Sequence, residues 1–194
     1  MRNSVKLQAH KGVETEYPEN TLPAFTAAGE QGYEMIELDL RMTKDNKIIV
    51  MHDSAINTTG RNPDGSEIEQ KIRIYDITYE EALQYDFGIW FSEEFRGTKL
   101  PLFEEVLPIA KKYGITLKID NKLKRFTEEQ LEILRKGFQE HDFTQAVPIS
   151  PTYEDMTPKQ AKAFVALKKR IRRWVSVLLR YKKTWILSAT PARS

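Results

Sequence analysis

Ile36-Glu37-Leu38-Asp39 is the most informative stretch of the chain, because it places two acids two residues apart in an apolar run. Residues two apart on a β-strand face the same way, so Glu37 and Asp39 are expected to share one face. Ile36, Leu38 and Leu40 then pack on the opposite face. Burying two neighbouring carboxylates without partners is costly, and a divalent cation is the simplest remedy. An exposed strand with a polar face is the alternative that this stretch alone leaves open.

Outward from this stretch, the chain alternates between predicted strands and predicted helices. Strands are predicted at residues 5–10, 34–40, 47–52 and 115–120, with a fifth at 146–149, and helices at 22–31, 102–113 and 127–137. The third strand is almost wholly apolar, as is typical of a buried parallel sheet, whereas Pro148 would confine the fifth to an edge. This alternation indicates βαβ units and an α/β fold with a parallel sheet.

Chemistry-bearing side chains lie where the predicted strands end, which is where α/β folds place their functional sites. They are His10, Glu37, Asp39, His52 and Asp120. Three carboxylates suit a hard cation such as Mg²⁺ or Ca²⁺, and two histidines suit proton transfer near neutral pH. Lys11 and Lys122 would add positive charge for an anionic group. Together these groups favour phosphoryl chemistry.

Residues 54–100 interrupt the alternation of strands and helices. A structureless loop of this length is unusual, so we predict a small inserted subdomain. Its aromatic residues form either the subdomain's own core or a surface that binds substrate. These residues are Tyr85, Phe87, Trp90, Phe91 and Phe95.

Charge divides the 194-residue chain near residue 155. All 28 Asp and Glu residues lie within 1–155, whereas 156–194 holds 11 of the 30 Lys and Arg residues and no acid. We predict a folded body over 1–155 and a basic, helical tail over 156–194. Three interpretations of the tail are open: a non-native continuation of a truncated enzyme, a helix on an anionic membrane, or a cover for an open sheet edge or a second chain.

Composition narrows the classes of function. The chain has no cysteine, which excludes disulfides and thiolate chemistry. The N-terminus carries no run that resembles a signal peptide, and no stretch reaches transmembrane length, so we expect a cytoplasmic location. No nucleic-acid-binding module accompanies the basic residues, so nucleic acid is not an expected partner.

Several motifs resemble those of the glycerophosphodiester phosphodiesterase family, over about residues 5–125. The first group comprises Ala9-His10-Lys11-Gly12, Pro18-Glu19-Asn20-Thr21, Ile36-Glu37-Leu38-Asp39-Leu40, Thr43-Lys44-Asp45 and Val50-Met51-His52-Asp53. The second group comprises Asn57-Thr58-Thr59-Gly60, Asp86-Phe87-Gly88, Leu100-Pro101-Leu102-Phe103-Glu104-Glu105 and Leu117-Lys118-Ile119-Asp120-Asn121-Lys122. The order and spacing of these motifs also agree with the family.

The resemblance implies a role for each site residue. His10 and His52 would be the acid–base pair, and Glu37, Asp39 and Asp120 the metal ligands. Lys11 and Lys122 would contact the substrate phosphate, and Glu19 would support the site. Asp53 would either orient the His52 imidazole or only cap a turn. The insertion would cover the glycerol end of the substrate.

Two positions depart from the family pattern. Lys11 stands where the family usually has arginine, and a lysine cannot bind phosphate in the bidentate way of a guanidinium. Asp120 stands where the family usually has glutamate, so this ligand is one methylene shorter. Both changes preserve charge, and we expect weaker activity or a shifted metal preference.

The expected fold is a truncated or incomplete TIM barrel, because a complete one takes about 250 residues. The expected activity is metal-dependent hydrolysis of a glycerophosphodiester to glycerol 3-phosphate and an alcohol. The alternative is an inactive relic of the same fold that serves as a membrane-surface or partner-binding module. An open sheet edge also predicts association into a homo-oligomer.

Overall fold

A five-stranded sheet forms the centre of the computed structural model, which describes residues 7–122, 128–143 and 146–148. The strands are β1 (Gln8–His10), β2 (Met35–Met42), β3 (Ile48–Val50), β4 (Thr116–Asn121) and β5 (Ala146–Pro148). The helices are α1 (Leu22–Glu30), α2 (Tyr79–Ala82), α3 (Phe103–Tyr113) and α4 (Glu128–Glu140). Strands β1, β2, β4 and β5 are adjacent in that order and parallel, which confirms the predicted parallel sheet.

The third strand differs from its prediction, because β3 pairs with β2 in the antiparallel sense. The expectation that it lies in a parallel sheet is therefore wrong. The two strands are joined by a turn at 43–47, in which Asn46 adopts a φ of 62°. A parallel connection needs a crossover of a dozen or more residues, whereas a hairpin needs only a few. The short turn thus fixes the direction of β3.

Local sequence signals set the ends of the two long helices before and after the insertion. The Thr21 side chain accepts a hydrogen bond from the backbone N–H of Ala24 and so caps α1. Gly114 ends α3 in the left-handed conformation, with a φ of 68°. Gly29 of α1 lies directly against the ring of Tyr113, where a side chain would collide. This close approach packs α1 against α3 on one face of the sheet.

The main hydrophobic core lies between the sheet and helices α1, α3 and α4. Its fully buried side chains include Phe25, Ile36, Leu38, Leu107 and Leu117. Because alternate residues of β2 point to opposite faces, the side chains that pack here leave Glu37 and Asp39 on the other face. The core therefore orients the acid pair.

A second hydrophobic cluster lies largely in the predicted insertion, between β3 and α3. It comprises Ile49, Met51, Ile56, Ile74, Ala82, Phe87 and Leu100. The aromatic residues of the insertion divide into two sets. Phe87 is buried in this cluster and Tyr85 packs against it, whereas Trp90, Phe91 and Phe95 are half-buried and stack edge to face. Phe95 also contacts the ring of Tyr17 in the loop after β1.

The predicted tail at 156–194 and the boundary at 155 lie outside the described residues. Across the parts of the chain that the structure does describe, every helix is too short or too polar to cross a bilayer.

Candidate active site

Three adjacent parallel strands bring four of the predicted site residues together. In the register of the sheet His10 on β1 lies opposite Glu37 on β2, and Asp39 on β2 lies opposite Asp120 on β4. Glu37, Asp39 and Asp120 each present an oxygen atom within 4.8 Å of the other two. Strand pairing thus builds the carboxylate cluster from residues far apart in sequence.

Asp39 lies at the centre of this cluster and is only 1% exposed. Its Oδ2 atom accepts a hydrogen bond of 3.0 Å from the side-chain amide of Asn20. Its Oδ1 atom is buried and accepts no hydrogen bond within the described parts of the chain. The Lys122 ammonium lies 3.2 Å from this Oδ1 atom, so the buried oxygen has an ion pair but no hydrogen bond from a described residue.

Glu37 is buried beside Asp39, with 6% of the residue exposed. Its Oε2 atom accepts a hydrogen bond of 3.3 Å from the backbone N–H of Lys11. Burial and the neighbouring charge of Asp39 raise the pKa of Glu37, although His10 opposes this. The charged form of Glu37 is therefore short of positive partners.

The two predicted phosphate-binding lysines have different surroundings. The Lys122 ammonium lies 2.7 Å from Asp120 Oδ2 and 3.2 Å from Asp39 Oδ1. Burial alone would lower the pKa of Lys122, but its hydrogen bond with Asp120 and the charge of Asp39 outweigh burial and raise it. The Lys11 ammonium instead lies 2.9 Å from Glu19 Oε2. Glu19 therefore contacts Lys11, and a contact from Lys11 to a phosphate requires its ammonium to turn away from Glu19.

His10 lies at the end of β1 between two carboxylates. Its Nδ1 atom is 2.6 Å from Glu14 Oε1, and its Nε2 atom is 3.7 Å from Glu37 Oε2. The side chain is 56% exposed, so the ring is accessible. Glu14 fixes the orientation of the ring and turns Nε2 towards the carboxylate cluster.

His52 reaches the same region from β3 rather than from a parallel strand. Hydrogen bonds from the Arg41 guanidinium to the backbone carbonyl of His52 anchor this residue. Its Nδ1 atom lies 2.8 Å from Asp53 Oδ1, which leaves Nε2 for exchange with a substrate. The residue lines a narrow cleft together with Glu19 and Asn20.

Asp53 lies beside the His52 ring, with its Oδ1 atom 2.8 Å from Nδ1. A hydrogen bond from the Thr58 hydroxyl, more than the adjacent imidazole, lowers the pKa of the Asp53 carboxyl. The carboxylate is thus ionised over the range in which histidines exchange protons.

Three residues of the site were not predicted from the sequence: Glu14, Asn20 and Arg41. Arg41 lies two residues after Asp39, so the period of a strand could have placed it on the same face. Asn20 belongs to the Pro18–Thr21 motif, within which only Glu19 was singled out. Its φ of 57° and its burial mark it as a fixed partner of Asp39. Glu14 had no signal beyond its spacing of four residues from His10.

The carboxylate cluster fits a divalent cation. The donor atoms are carboxylate oxygens, which Mg²⁺ and Ca²⁺ both prefer. A second observation is the buried Oδ1 atom of Asp39, which is paired with the Lys122 ammonium but accepts no hydrogen bond from any described residue. Glu37, Asp39 and Asp120 are therefore the residues that could hold the ion.

Comparison with solved structures gives the architecture. The chain aligns with a glycerophosphodiester phosphodiesterase from Agrobacterium tumefaciens at a TM-score of 0.67 and 19% identity, over 86% of this chain and 64% of that one. It aligns with an Oleispira antarctica phosphodiesterase, solved with the product sn-glycerol-3-phosphate, at a TM-score of 0.63 and 24% identity. That alignment covers 74% of this chain and 56% of the other. These likenesses confirm the predicted fold, a partial TIM barrel.

Comparison of sequences gives the family. The chain is 34% identical over 142 residues to a glycerophosphodiester phosphodiesterase of Bacillus altitudinis, which covers 71% of this chain and 55% of that protein. It is also 34% identical over 144 residues to a glycerophosphodiester phosphodiesterase from Caldanaerobacter subterraneus. That alignment covers 73% of this chain and 56% of that protein. The chain thus spans about half the length of these curated relatives. The model of the Glycerophosphoryl diester phosphodiesterase family matches residues 10–172, and this chain belongs to that family.

Proposed function

We propose that this chain hydrolyses glycerophosphodiesters to glycerol 3-phosphate and an alcohol, with Mg²⁺ or Ca²⁺ as cofactor. The observation that carries the proposal is the juxtaposition of the Glu37–Asp39–Asp120 cluster with His10, whose Nε2 atom lies 3.7 Å from Glu37. Family membership supports the same chemistry. The bound ion would neutralise the phosphate charge and favour deprotonation of the attacking oxygen.

The two histidines act as an acid–base pair in this proposal. One imidazole accepts the proton of the attacking water or hydroxyl group, and the other donates a proton to the leaving alcohol as its bond to phosphorus breaks. Glu14 and Asp53 each occupy Nδ1 of one ring, so both proton transfers use Nε2.

Lys11 and Lys122 balance the charge of the phosphate. Both ammonium groups are already paired with carboxylates, Lys11 with Glu19 and Lys122 with Asp39 and Asp120. Each lysine must leave a carboxylate before it contacts the phosphate. A lysine makes this exchange as a flexible point charge, unlike an arginine fork.

Hydrolysis of glycerophosphocholine, with and without added Mg²⁺ or Ca²⁺, tests the proposal. Turnover should depend on the metal and should be lost in His10→Ala and in Glu37→Ala. His141→Ala is the matched control, because His141 lies at the end of α4 outside every motif. Equal activity of His10→Ala and His141→Ala would refute the assignment of His10.

A second function is favoured by the extent of the match, which spans about half the length of these relatives. The chain would then be an inactive relic whose basic tail, with 11 Lys and Arg residues, contacts an anionic membrane or a partner. Co-sedimentation with phosphatidylserine vesicles and with phosphatidylcholine vesicles tests this function. A folded chain that has no turnover but binds the anionic vesicles supports it.

Assembly into a homo-oligomer through the edges of the described sheet is part of the same proposal, and sedimentation velocity measures it. The domain boundary at 155 and the cytoplasmic location stay predictions.

A further inference from the structure

Lys122 neutralises two of the three carboxylates that would bind the metal. Its ammonium lies 2.7 Å from Asp120 Oδ2 and 3.2 Å from Asp39 Oδ1. The contact with Asp39 lacks the geometry of a hydrogen bond, so the Oδ1 atom has an ion pair but no directional donor among the described residues. Asp39 is almost completely buried, whereas the Lys122 side chain is 25% exposed. The lysine therefore reaches a buried anion from the open side of the site.

A divalent cation held by the Glu37–Asp39–Asp120 cluster would use the same two carboxylates. Mg²⁺ and Ca²⁺ bind carboxylate oxygens at about 2.0–2.6 Å. An ion in contact with Asp39 and Asp120 would lie within a few ångströms of the Lys122 ammonium in its observed position. Two cations at that separation repel each other strongly, because the site is only partly open to solvent.

We infer that the Lys122 ammonium and the divalent cation compete for Asp39 and Asp120, so that binding of the metal releases Lys122 from both carboxylates. The inference rests on the metal site of the proposed function. Release would free the Lys122 ammonium at the mouth of the site. The long lysine side chain can then turn to an anionic group of the substrate. Metal binding would thus prepare the site for phosphate.

The charges around the cluster agree with this exchange. The Lys122 ammonium contacts Asp120 at 2.7 Å and Asp39 at 3.2 Å. Glu37 lies outside these contacts: its Oε2 atom is 3.3 Å from the backbone nitrogen of Lys11 and 3.7 Å from Nε2 of His10. An ion with two charges would satisfy all three carboxylates, whereas one lysine reaches only two of them.

Lys118 provides a matched control on the same strand. It lies two residues before Asp120, on the same face of β4, and in register with Glu37. Its ammonium, however, lies 3.1 Å from Gln8 Oε1. Lys118→Met and Lys122→Met therefore remove the same charge from neighbouring positions, but only Lys122→Met removes the contact with the metal-binding carboxylates.

Isothermal titration of the full-length chain with Mg²⁺ and with Ca²⁺ tests the inference without a measurement of activity. Lys122→Met should lower the dissociation constant of the metal by about fivefold or more relative to the natural chain, since it removes a competing charge. Lys118→Met should change it by less than about twofold. Equal dissociation constants for Lys122→Met and Lys118→Met would overturn the competition and leave the proposed metal site intact. If none of the three folded proteins binds the metal, the competition and the proposed metal site are both overturned.

Chemical labelling of the natural chain tests the release directly and does not depend on a variant that folds. The rate of acetylation of Lys122 by a small anhydride, measured by peptide mass spectrometry against Lys118, should rise when saturating Ca²⁺ is added. A rate that stays constant or falls would show that Lys122 remains on its carboxylates, and would overturn the inference.

Discussion

Two buried acids, Asp86 in the insertion and Asp39 in the sheet, have opposite hydrogen-bonding states. Asp86 is 4% exposed, and its Oδ1 atom accepts hydrogen bonds of 2.8 Å from the N–H of Gly88 and 2.9 Å from that of Ile89. Its Oδ2 atom accepts another from the N–H of Gly97. Asp39 is 1% exposed, but its Oδ1 atom has no such donor among the described residues. The first carboxylate organises backbone, whereas the second is paired with a cation, the Lys122 ammonium.

The pKa directions of Asp86 and of Glu37, the neighbour of Asp39, agree with this difference. Burial would raise the pKa of Asp86, but three backbone donors and the charge of Lys99 outweigh it and lower the pKa. Burial and the adjacent carboxylate raise the pKa of Glu37. Burial alone therefore does not distinguish a structural acid from a functional one. The number of hydrogen-bond donors that face each carboxylate oxygen distinguishes the two kinds of acid.

Among these substitutions, Glu37→Gln should have the largest effect. It tests whether the acids of the sheet have a functional role that Asp86 lacks. It removes one anionic ligand, so we expect metal-dependent turnover to fall about a hundredfold to a thousandfold. Metal-free stability should stay unchanged or rise, because the substitution relieves repulsion with Asp39. Turnover assays and urea unfolding in EDTA measure the two quantities. Glu69→Gln, at an exposed acid of the insertion, is the control.

Asp86→Ala should lower stability rather than metal binding. It leaves three backbone N–H groups of the insertion without their acceptor, which should lower the free energy of unfolding by about 3 kcal/mol. The dissociation constant of the metal should not change in the fraction that stays folded. Urea unfolding and calorimetric titration test this, with Asp76→Ala at an exposed site of the same insertion as control. A loss of metal affinity without a loss of stability would contradict the structural role.

Asp53→Asn tests a third acid, which is partly exposed and contacts the His52 imidazole. If Asp53 orients His52, kcat should fall about tenfold to a hundredfold while KM and stability stay nearly constant. Asp53→Glu should restore part of kcat. Steady-state kinetics and thermal unfolding separate this role from that of a turn cap. A turn cap would instead lower stability and leave kcat of the folded enzyme unchanged.

The pH dependence of stability should show the smallest effect, on the order of 1 kcal/mol for each group. The lowered pKa of Asp86 means that its stabilisation is present above about pH 4 and is lost as pH falls through its pKa in the folded state. The raised pKa of Glu37 gives the opposite sign, since acidification towards about pH 4 relieves an unfavourable charge.

Urea unfolding in EDTA across a pH series measures these two contributions. Asp86→Asn should reduce the acid-induced loss of stability, and Glu37→Gln should remove the gain just above pH 4. Identical pH profiles for both variants and the natural chain would contradict the opposed pKa shifts.

Local signals predicted much of the framework correctly. The Thr21 cap, Gly114 at the end of α3 and the alternation around Leu38 act over a few residues, so the sequence shows them directly. The direction of β3 was predicted wrongly because its apolar composition outweighed the short turn at 43–47. Turn length, which decides between a hairpin and a crossover, is also a local signal, and it was the more informative one.

The residue types at the strand ends can be read from the chain alone, and they predict that carboxylates and histidines converge at one edge of the sheet. Their partners are visible only in the folded molecule: Glu14 contacts His10, Asn20 and Lys122 contact Asp39, and Glu19 contacts Lys11. The reason is physical. The period of a strand fixes the face of a side chain, whereas its hydrogen bonds depend on loops and neighbouring strands whose contacts are distant in sequence.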